Sequence, residues 1–441
     1  MFLPALTLVA VTGALPAPSH SAQDLRARIQ EHYRTDLREL FEHFHANPEL
    51  SFLEFETAKR LAAELRAVGV EVTERVGGTG IVGMLENGEG PLVLVRADMD
   101  GLPIQEDTGL SYASKAVYDD GAGTVLPIMH ACGHDVHMTV MVGTAHRLVE
   151  ARDRWSGTVM FVGQPAEERI GGARAMLRDG LYERFGVPDY ALAMHVSAGH
   201  PAGKVQLRSG LNSSSSDSVD IVVRGIGAHG ASPHMGKDPI YIASQIVIAL
   251  QGLVSRELSP LEPGVVTVGA FNAGFKHNII PDEARLQLTV RADSEQTREY
   301  LLDGIERIAT NIGRANGLPE ERLPRVDRST ESTPTTLNDP ALSERVLAAF
   351  IREMGAGAIF STERTGMGAE DFAYFVRTKE KVPGAYFSVG GTLQADLDAE
   401  AAGGAPVPGH HSPFFRIEPE PSVTRGIEAM FTAVMELAGK D

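Results

Sequence analysis

The chain has 441 residues, 43% hydrophobic and 22% charged, with 40 Lys and Arg against 58 Asp and Glu for a formal net charge of −18. These values describe an ordinary globular protein of roughly two to three domains. The acidic balance argues against nucleic acid or an anionic membrane as a partner. Cys132 is the only cysteine, which excludes an internal disulfide framework.

Residues 1–22, MFLPALTLVAVTGALPAPSHSA, pass from an apolar run at about Phe2–Leu15 into small residues and prolines. The pattern predicts a secretory signal peptide cleaved near Ser21 or Ala22, although a positive n-region is missing. The mature protein is then periplasmic or secreted, with a cytoplasmic location as the alternative. The run is too short to span a bilayer, and no other stretch reaches about 18 apolar residues. From Asp24 to Ala46, residues Leu25, Ile29, Tyr33, Leu37, Leu40, Phe41 and Phe44 recur at helical spacing, and Asn47–Pro48 ends the helix. A second helix is expected at Glu54–Val68, then strands at Val70–Glu74, Gly80–Glu86 and Leu92–Val95. The last is a continuous apolar run, as in a strand covered on both faces.

A helix follows Asp135, then a strand at Val159–Val162, a helix at 171–179 and a strand ending at His195. This alternation predicts an α/β fold, a largely parallel sheet flanked by helices, over residues 23–208 and 322–441. The stretch SGLNSSSSD (209–217) reads as a polar hinge. Beyond it, strands at Ser218–Arg224, Val265–Phe271 and Ala284–Ala292 and helices at Pro239–Leu258 and Glu295–Asn316 predict an inserted α+β lid over 209–321. Ser218–Arg224 is expected at an edge of the lid sheet, where pairing with its own copy would close a homodimer. Helix Pro340–Met354 and strand Ala385–Val389 resume the first domain.

Groups of metal-ligand type cluster after the strands of the first domain. MHACGHDVHM (129–138) sets Cys132 and His134 two apart with Asp135 next. Asp98 and Asp100 follow one strand, Glu167 and Glu168 another, and His195 ends a third; His410 and His411 come after a fourth. In open α/β sheets the ligand crevice lies beyond the carboxyl ends of the strands. Each group alone has a plain alternative: a buried small cysteine, acids at a helix N-terminus, a turn histidine. Together they suit zinc or a similar ion. Of the adjacent pair Glu167–Glu168, one carboxylate would ligate and the other would take a proton from the activated water. Asp98 and Asp100 would orient ligand imidazoles. Five or more ligand candidates exceed a single tetrahedral site and point to two divalent ions. In the lid, His229 lies in a glycine-rich turn. Asn278 and Arg291 lie beside apolar strands, where Arg291 would grip a carboxylate or pair with a local acid.

RADMDGLP (96–103), MHACGHDVHM, GQPAEE (163–168), AMHV (193–196), GAHGASPH (227–234), GAEDFAYF (368–375) and HHSPFF (410–415) together resemble the dinuclear metallopeptidase family of aminoacylases, hippurate hydrolases and plant auxin-conjugate hydrolases. The resemblance spans nearly all of the chain after residue 25. It implies a zinc-exopeptidase-like fold and two divalent ions (Zn, Mn, Co or Ni) held by Cys132, His134, Glu168, His195 and His411. It also implies Glu167 as general base and His229 as a lid histidine touching the substrate, across a homodimer formed through the lid. The expected substrate is a small N-acyl amino acid, hippurate-like or another conjugate. A dipeptidase or carboxypeptidase on the same scaffold is the first alternative, and a non-catalytic periplasmic binder the second. One departure is the loop LQADLDAEAAGGAPVPG before His410, longer and more acidic than the family's pattern.

Overall fold

The computed structural model describes residues 20–440, so the expected signal segment lies outside the described residues apart from its last three positions, where the first helix begins. A seven-stranded sheet organises the first domain. Its order is Glu71–Val76, Gly80–Glu86, Thr158–Gln164, Leu92–Asp98, Tyr190–Pro201, Gly384–Thr392 and Val205–Leu207. The four central strands are parallel, and the flanking ones pair antiparallel. Side chains alternate across these strands. Val93, Val95, Phe161, Leu192 and Met194 enter one core, while Leu94, Met160, Val162, Ala191 and Tyr386 enter another on the opposite face. Burial on both faces explains why the central strands are continuous apolar runs.

The larger core is covered by helices that include Phe55–Ala67, His134–Glu150 and Pro340–Met354, together with the C-terminal helix Pro419–Ala438. The C-terminal helix was not anticipated, and neither was Gln394–Ala401, a helix within the acidic loop.

The lid carries a four-stranded antiparallel sheet, ordered Gly264–Ala273, Glu283–Ala292, Ser215–Arg224 and Arg325–Thr333. Helices Pro239–Gly252 and Glu295–Ala315 pack on it around Val219, Ile221, Ile246, Leu286 and Ile305. Three sequence expectations are corrected here. The lid sheet continues to Thr333, past the expected limit at 321, because Arg325–Thr333 pairs with Ser215–Arg224. That strand is therefore interior, bonded on both sides, and the open edges belong to Gly264–Ala273 and Arg325–Thr333. The serine run is no hinge. Ser214, Ser215, Ser216 and Asp217 are buried because their polar groups are satisfied: Ser214 Oγ donates to Asp293 (2.6 Å), Ser215 Oγ to the Ala292 carbonyl (3.2 Å), and Asp217 pairs with Arg298 (2.7 Å). Among the described residues, no helix is long and apolar enough to cross a membrane.

Candidate metal centre

The strand register sets the site. Asp98 pairs with Gln164 at the ends of neighbouring strands, and Arg96 is level with Ala193. By the two-residue period Arg96 and Asp98 share a face. His195 does not end its strand, as the sequence predicted, but lies within Tyr190–Pro201, which runs on to pair with the strand carrying Ser388.

The turn before helix His134–Glu150 depends on Gly133. Its φ is +86°, and a Cβ there would lie 2.3 Å from Val196 Cγ1. Glycine is the residue that both allows this backbone and leaves this space. The loop carrying Glu167 and Glu168 is strained, with Ala166 at φ +49° and Ile170 at φ +51°. Buried carboxylates hold it. Glu54 accepts the Ala166 N–H (2.8 Å), and Asp100 accepts the N–H groups of Glu167 and Glu168, each at 3.1 Å. His411, at φ +62°, donates its N–H to the Ala131 carbonyl (2.9 Å), which ties it to the cysteine turn.

These supports bring five side chains together. Cys132, His134 and His195 form one group, and Cys132, Glu168 and His411 another, with the ligand atoms of each within 4.8 Å of one another. Cys132 Sγ is 3.5 Å from His195 Nε2, and Glu168 Oε1 is 3.3 Å from His411 Nε2 and 3.9 Å from His134 Nε2. His134 Nδ1 donates to the Asp100 carbonyl (2.8 Å) and His195 Nδ1 to the Val196 carbonyl (2.5 Å), which leaves Nε2 of each facing the cluster. His134 Nε2 and Glu168 Oε1 are buried without a hydrogen-bond partner. Orphaned buried atoms of this kind, beside a thiol and two more imidazoles, fit a soft divalent cation.

A further group, Asp98, His134 and His137, has ligand atoms equally close, but His137 has no lone pair to offer. Its Nε2 accepts the Val196 N–H (2.9 Å) and its Nδ1 donates to Asp98 (2.5 Å). Burial depresses its pKa to about 3, so it stays neutral. It is a brace between two strands and the helix.

The electrostatics also call for a cation. Burial would lower the pKa of His134, yet Asp98, Asp100 and Glu168 raise it to about 10. Burial and the acids Glu168, Glu167 and Asp98 push the Cys132 thiol well up. Burial, with Glu370, Glu168 and Asp371 as neighbours, also holds Glu167 well above the usual carboxylate range. Behind Glu167, the buried Arg96 pairs with Asp98 (2.6 Å) and Glu370 (2.6 Å), and Tyr386 donates to Glu370 (2.6 Å). Arg96 opposes the burial cost at Asp98 and, with His134 and His137, holds that carboxyl well below its usual range.

Residues 94–435 match the family described as peptidase family M20/M25/M40. The chain belongs to this family. It is 39% identical over 338 residues to hippurate hydrolase of Campylobacter jejuni, covering 76% of this chain and 84% of that protein. It is 36% identical over 373 residues to thermostable carboxypeptidase 1 of Saccharolobus solfataricus, covering 82% and 89%. The solved structure of the Bacillus subtilis YXEP protein, described as a dinuclear metal binding peptidase from the M20 family, superposes with a TM-score of 0.71 at 28% identity, covering 94% and 99%. This M20 protein is therefore a metal-dependent hydrolase of amide bonds acting on a small-molecule amide.

Glu167 Oε2 and Asp98 Oδ2 also reach His134 Nε2, at 4.0 and 3.7 Å. Asp100 sits behind the ring, its Oδ1 3.4 Å from His134 Nδ1. Of the two C-terminal histidines, His411 joins the cluster. His410 stacks on Phe415 at 4.8 Å between centroids, and its Nε2 accepts the Ala198 N–H (3.2 Å). His229 is exposed on the two-residue strand Ala228–His229, its Nδ1 accepting the Ala231 N–H (3.0 Å). Asn278 is exposed beside it, its carbonyl accepting the Gly230 N–H (2.9 Å). Arg291 lies in the lid sheet, where it donates to the Ser216 hydroxyl. Sequence reasoning gave no role to His137, Arg96, Glu370, Asp371 or the buried His45, which bridges Asp135 (2.7 Å) and Glu106 (3.1 Å).

Proposed function

We propose that this M20 hydrolase cleaves the amide bond of N-acyl amino acids, hippurate-like or bearing other acyl or aryl groups. In this reading Cys132, His134, Glu168, His195 and His411 hold two divalent ions, drawn from Zn, Mn, Co and Ni, and Glu167 is the general base. The observation that carries it is the division within the adjacent acid pair. Both reach His134 Nε2, Glu168 at 3.9 Å and Glu167 at 4.0 Å, but Glu168 also faces Cys132 and His411 with an orphaned oxygen, while Glu167 also faces Glu370 and Asp371.

Bound ions of this kind polarise the amide carbonyl and make a water acidic enough to attack. The chain's own residues do the rest. Asp100 clamps both backbone N–H groups of the pair, so the two carboxylates keep separate tasks. Glu167 takes a proton from the attacking water at a carboxylate oxygen and delivers it to the leaving amine nitrogen. Asp98 and Asp100 keep the His134 ring in place. His229 contacts the substrate from the lid.

The carboxypeptidase reading uses the same chemistry and is favoured by the similarity to a protein named for it. Turnover of a panel of N-acyl amino acids against dipeptides by metal-loaded protein separates the two. Preference for the first group is expected, and preference for dipeptides assigns the rival. A non-catalytic binder would have no need of Glu167 beside the ligands, and the absence of any turnover would favour it.

A homodimer through the lid is part of the same proposal. Tyr241 and Ile248 on helix Pro239–Gly252 are 58% and 74% exposed, and Phe271 on the open edge strand Gly264–Ala273 is 41% exposed. An apolar helix face beside an unpaired edge favours self-pairing.

A further inference from the structure

Glu54 stands where helix Phe55–Ala67 begins, yet its side chain does not cap that helix. The Thr57 N–H of the first turn is accepted by Glu49 instead (2.8 Å), and glutamate is not among the residues preferred at an N-cap. The Glu54 carboxylate is fully buried, and the donors it meets lie outside the helix. Oε1 accepts the N–H of Phe52 (2.9 Å) and the N–H of Ala166 (2.8 Å), and Oε2 accepts the Thr79 hydroxyl.

Both backbone partners are strained. Phe52 has φ +64° and Ala166 φ +49°, left-handed values that residues with a Cβ rarely adopt and that persist only where the surroundings hold them. One oxygen therefore holds two such residues from distant segments. The far side of Ala166 is held as well, its carbonyl accepting the N–H groups of Gly171 (3.3 Å) and Gly172 (3.2 Å). The Phe52 ring lies against the same loop, with Cζ 3.6 Å from where a Gly171 Cβ would be. Ala166 immediately precedes Glu167, so its backbone angles set the direction in which the Glu167 side chain leaves the loop. Asp100 holds the two N–H groups that follow. Burial and the neighbouring Asp100 push the Glu54 carboxyl up, so a charge is unfavourable there and hydrogen bonds are what the position supplies.

We propose that Glu54 is a positioning residue for hydrolysis: by fixing the Ala166 peptide from outside the metal cluster, it aims the Glu167 carboxylate at the attacking water. The inference rests on the reading of Glu167 as the base and deepens it. Glu54 acts through reach rather than charge. A glutamine keeps the reach, since its amide oxygen can accept both N–H groups and its NH2 can donate to the Thr79 oxygen. An aspartate keeps the charge but is one methylene short of Ala166.

Glu54→Gln and Glu54→Asp separate the two, with kcat, KM, metal content and hydrogen exchange measured on metal-loaded protein. Glu54→Asp should lower kcat by about 10–100-fold, the scale of a small misplacement of a reacting group, while Glu54→Gln stays within about threefold. KM and metal content should hold in both. Exchange should quicken in a peptide spanning 164–170 of Glu54→Asp alone, and not in one spanning 129–138. In a Glu167→Gln background Glu54→Asp should cost nothing further, since its effect passes through the missing base. Equal damage in both variants, metal loss that tracks kcat, or the same fold-loss with and without Glu167 overturns the inference. If Glu54→Asp does not fold, Glu54→Ala, which lets water reach the freed N–H groups, takes its place. The two readings fail separately. Near-normal kcat in Glu167→Gln sinks the base and this inference with it, whereas a damaged Glu167→Gln beside an unaffected Glu54→Asp sinks this inference alone.

Discussion

His45 offers a quantitative test of how the metal turn is held. It lies at the end of helix Arg38–Ala46, with its side chain 6% exposed, and joins Asp135 to Glu106, whose side chains are 2% and 0% exposed. Asp135 follows His134 directly, so this bridge anchors the first turn of helix His134–Glu150 from behind. Burial opposes charge on His45, but the two carboxylates overcome it and raise its pKa to about 9. A rise from 6.5 to about 9 corresponds to about 3 kcal/mol of preference for the charged form. Removing one partner of a buried ion pair costs about 3–5 kcal/mol by a separate route. His45→Gln should therefore lose about 3 kcal/mol in urea unfolding of the metal-loaded protein at pH 6. The folded pKa is raised, so this contribution is fully present below about pH 6.5 and is lost as pH climbs through about 9. The gap between wild type and variant should narrow over that window. A loss below about 1 kcal/mol, or a gap that does not change with pH, would refute a buried imidazolium at this position.

Gly133→Ala places a Cβ 2.3 Å from Val196 Cγ1 at a φ of +86°, and should cost about 1–3 kcal/mol of stability and weaken metal retention; an unchanged midpoint and metal content would contradict the account of the turn. Chelation should abolish hydrolysis and Zn, Mn or Co should restore it, whereas full activity in protein shown metal-free by elemental analysis excludes the metal role. If His229 acts on the site of the partner subunit, co-expressing Glu167→Ala with His229→Ala should recover a substantial part of the activity in verified heterodimers, since one site then regains both groups. Heterodimers as inactive as either parent would place His229 in its own subunit's site or leave it without a role.

The central strands were legible because burial on both faces writes them as unbroken apolar runs, as in Leu92–Asp98 and Thr158–Gln164. The acids and histidines beyond them could be read as a cluster from the rule that ligands gather at strand ends. Pairing order was not legible. Ser218–Arg224 looks the same at an edge or inside a sheet, and only its partners, far along the chain, decide it. The serine run misled because hydroxyls read as solvent-seeking, while here Asp293, the Ala292 carbonyl and the strand ladder satisfy them. His137 differs from a ligand only in that the Val196 N–H and Asp98 occupy both ring nitrogens, which no local pattern announces.

The division of labour between Glu167 and Glu168 is the account's central claim, and parallel measurement of metal content and kcat on two variants tests it most directly. Glu167→Gln should fold and keep the metal content of the wild type while kcat falls by about 10²–10⁴-fold. Glu168→Gln should lose metal under the same conditions. A Glu167→Gln protein with near-normal kcat, or one that loses metal as readily as Glu168→Gln, would contradict the assignment of base and ligand.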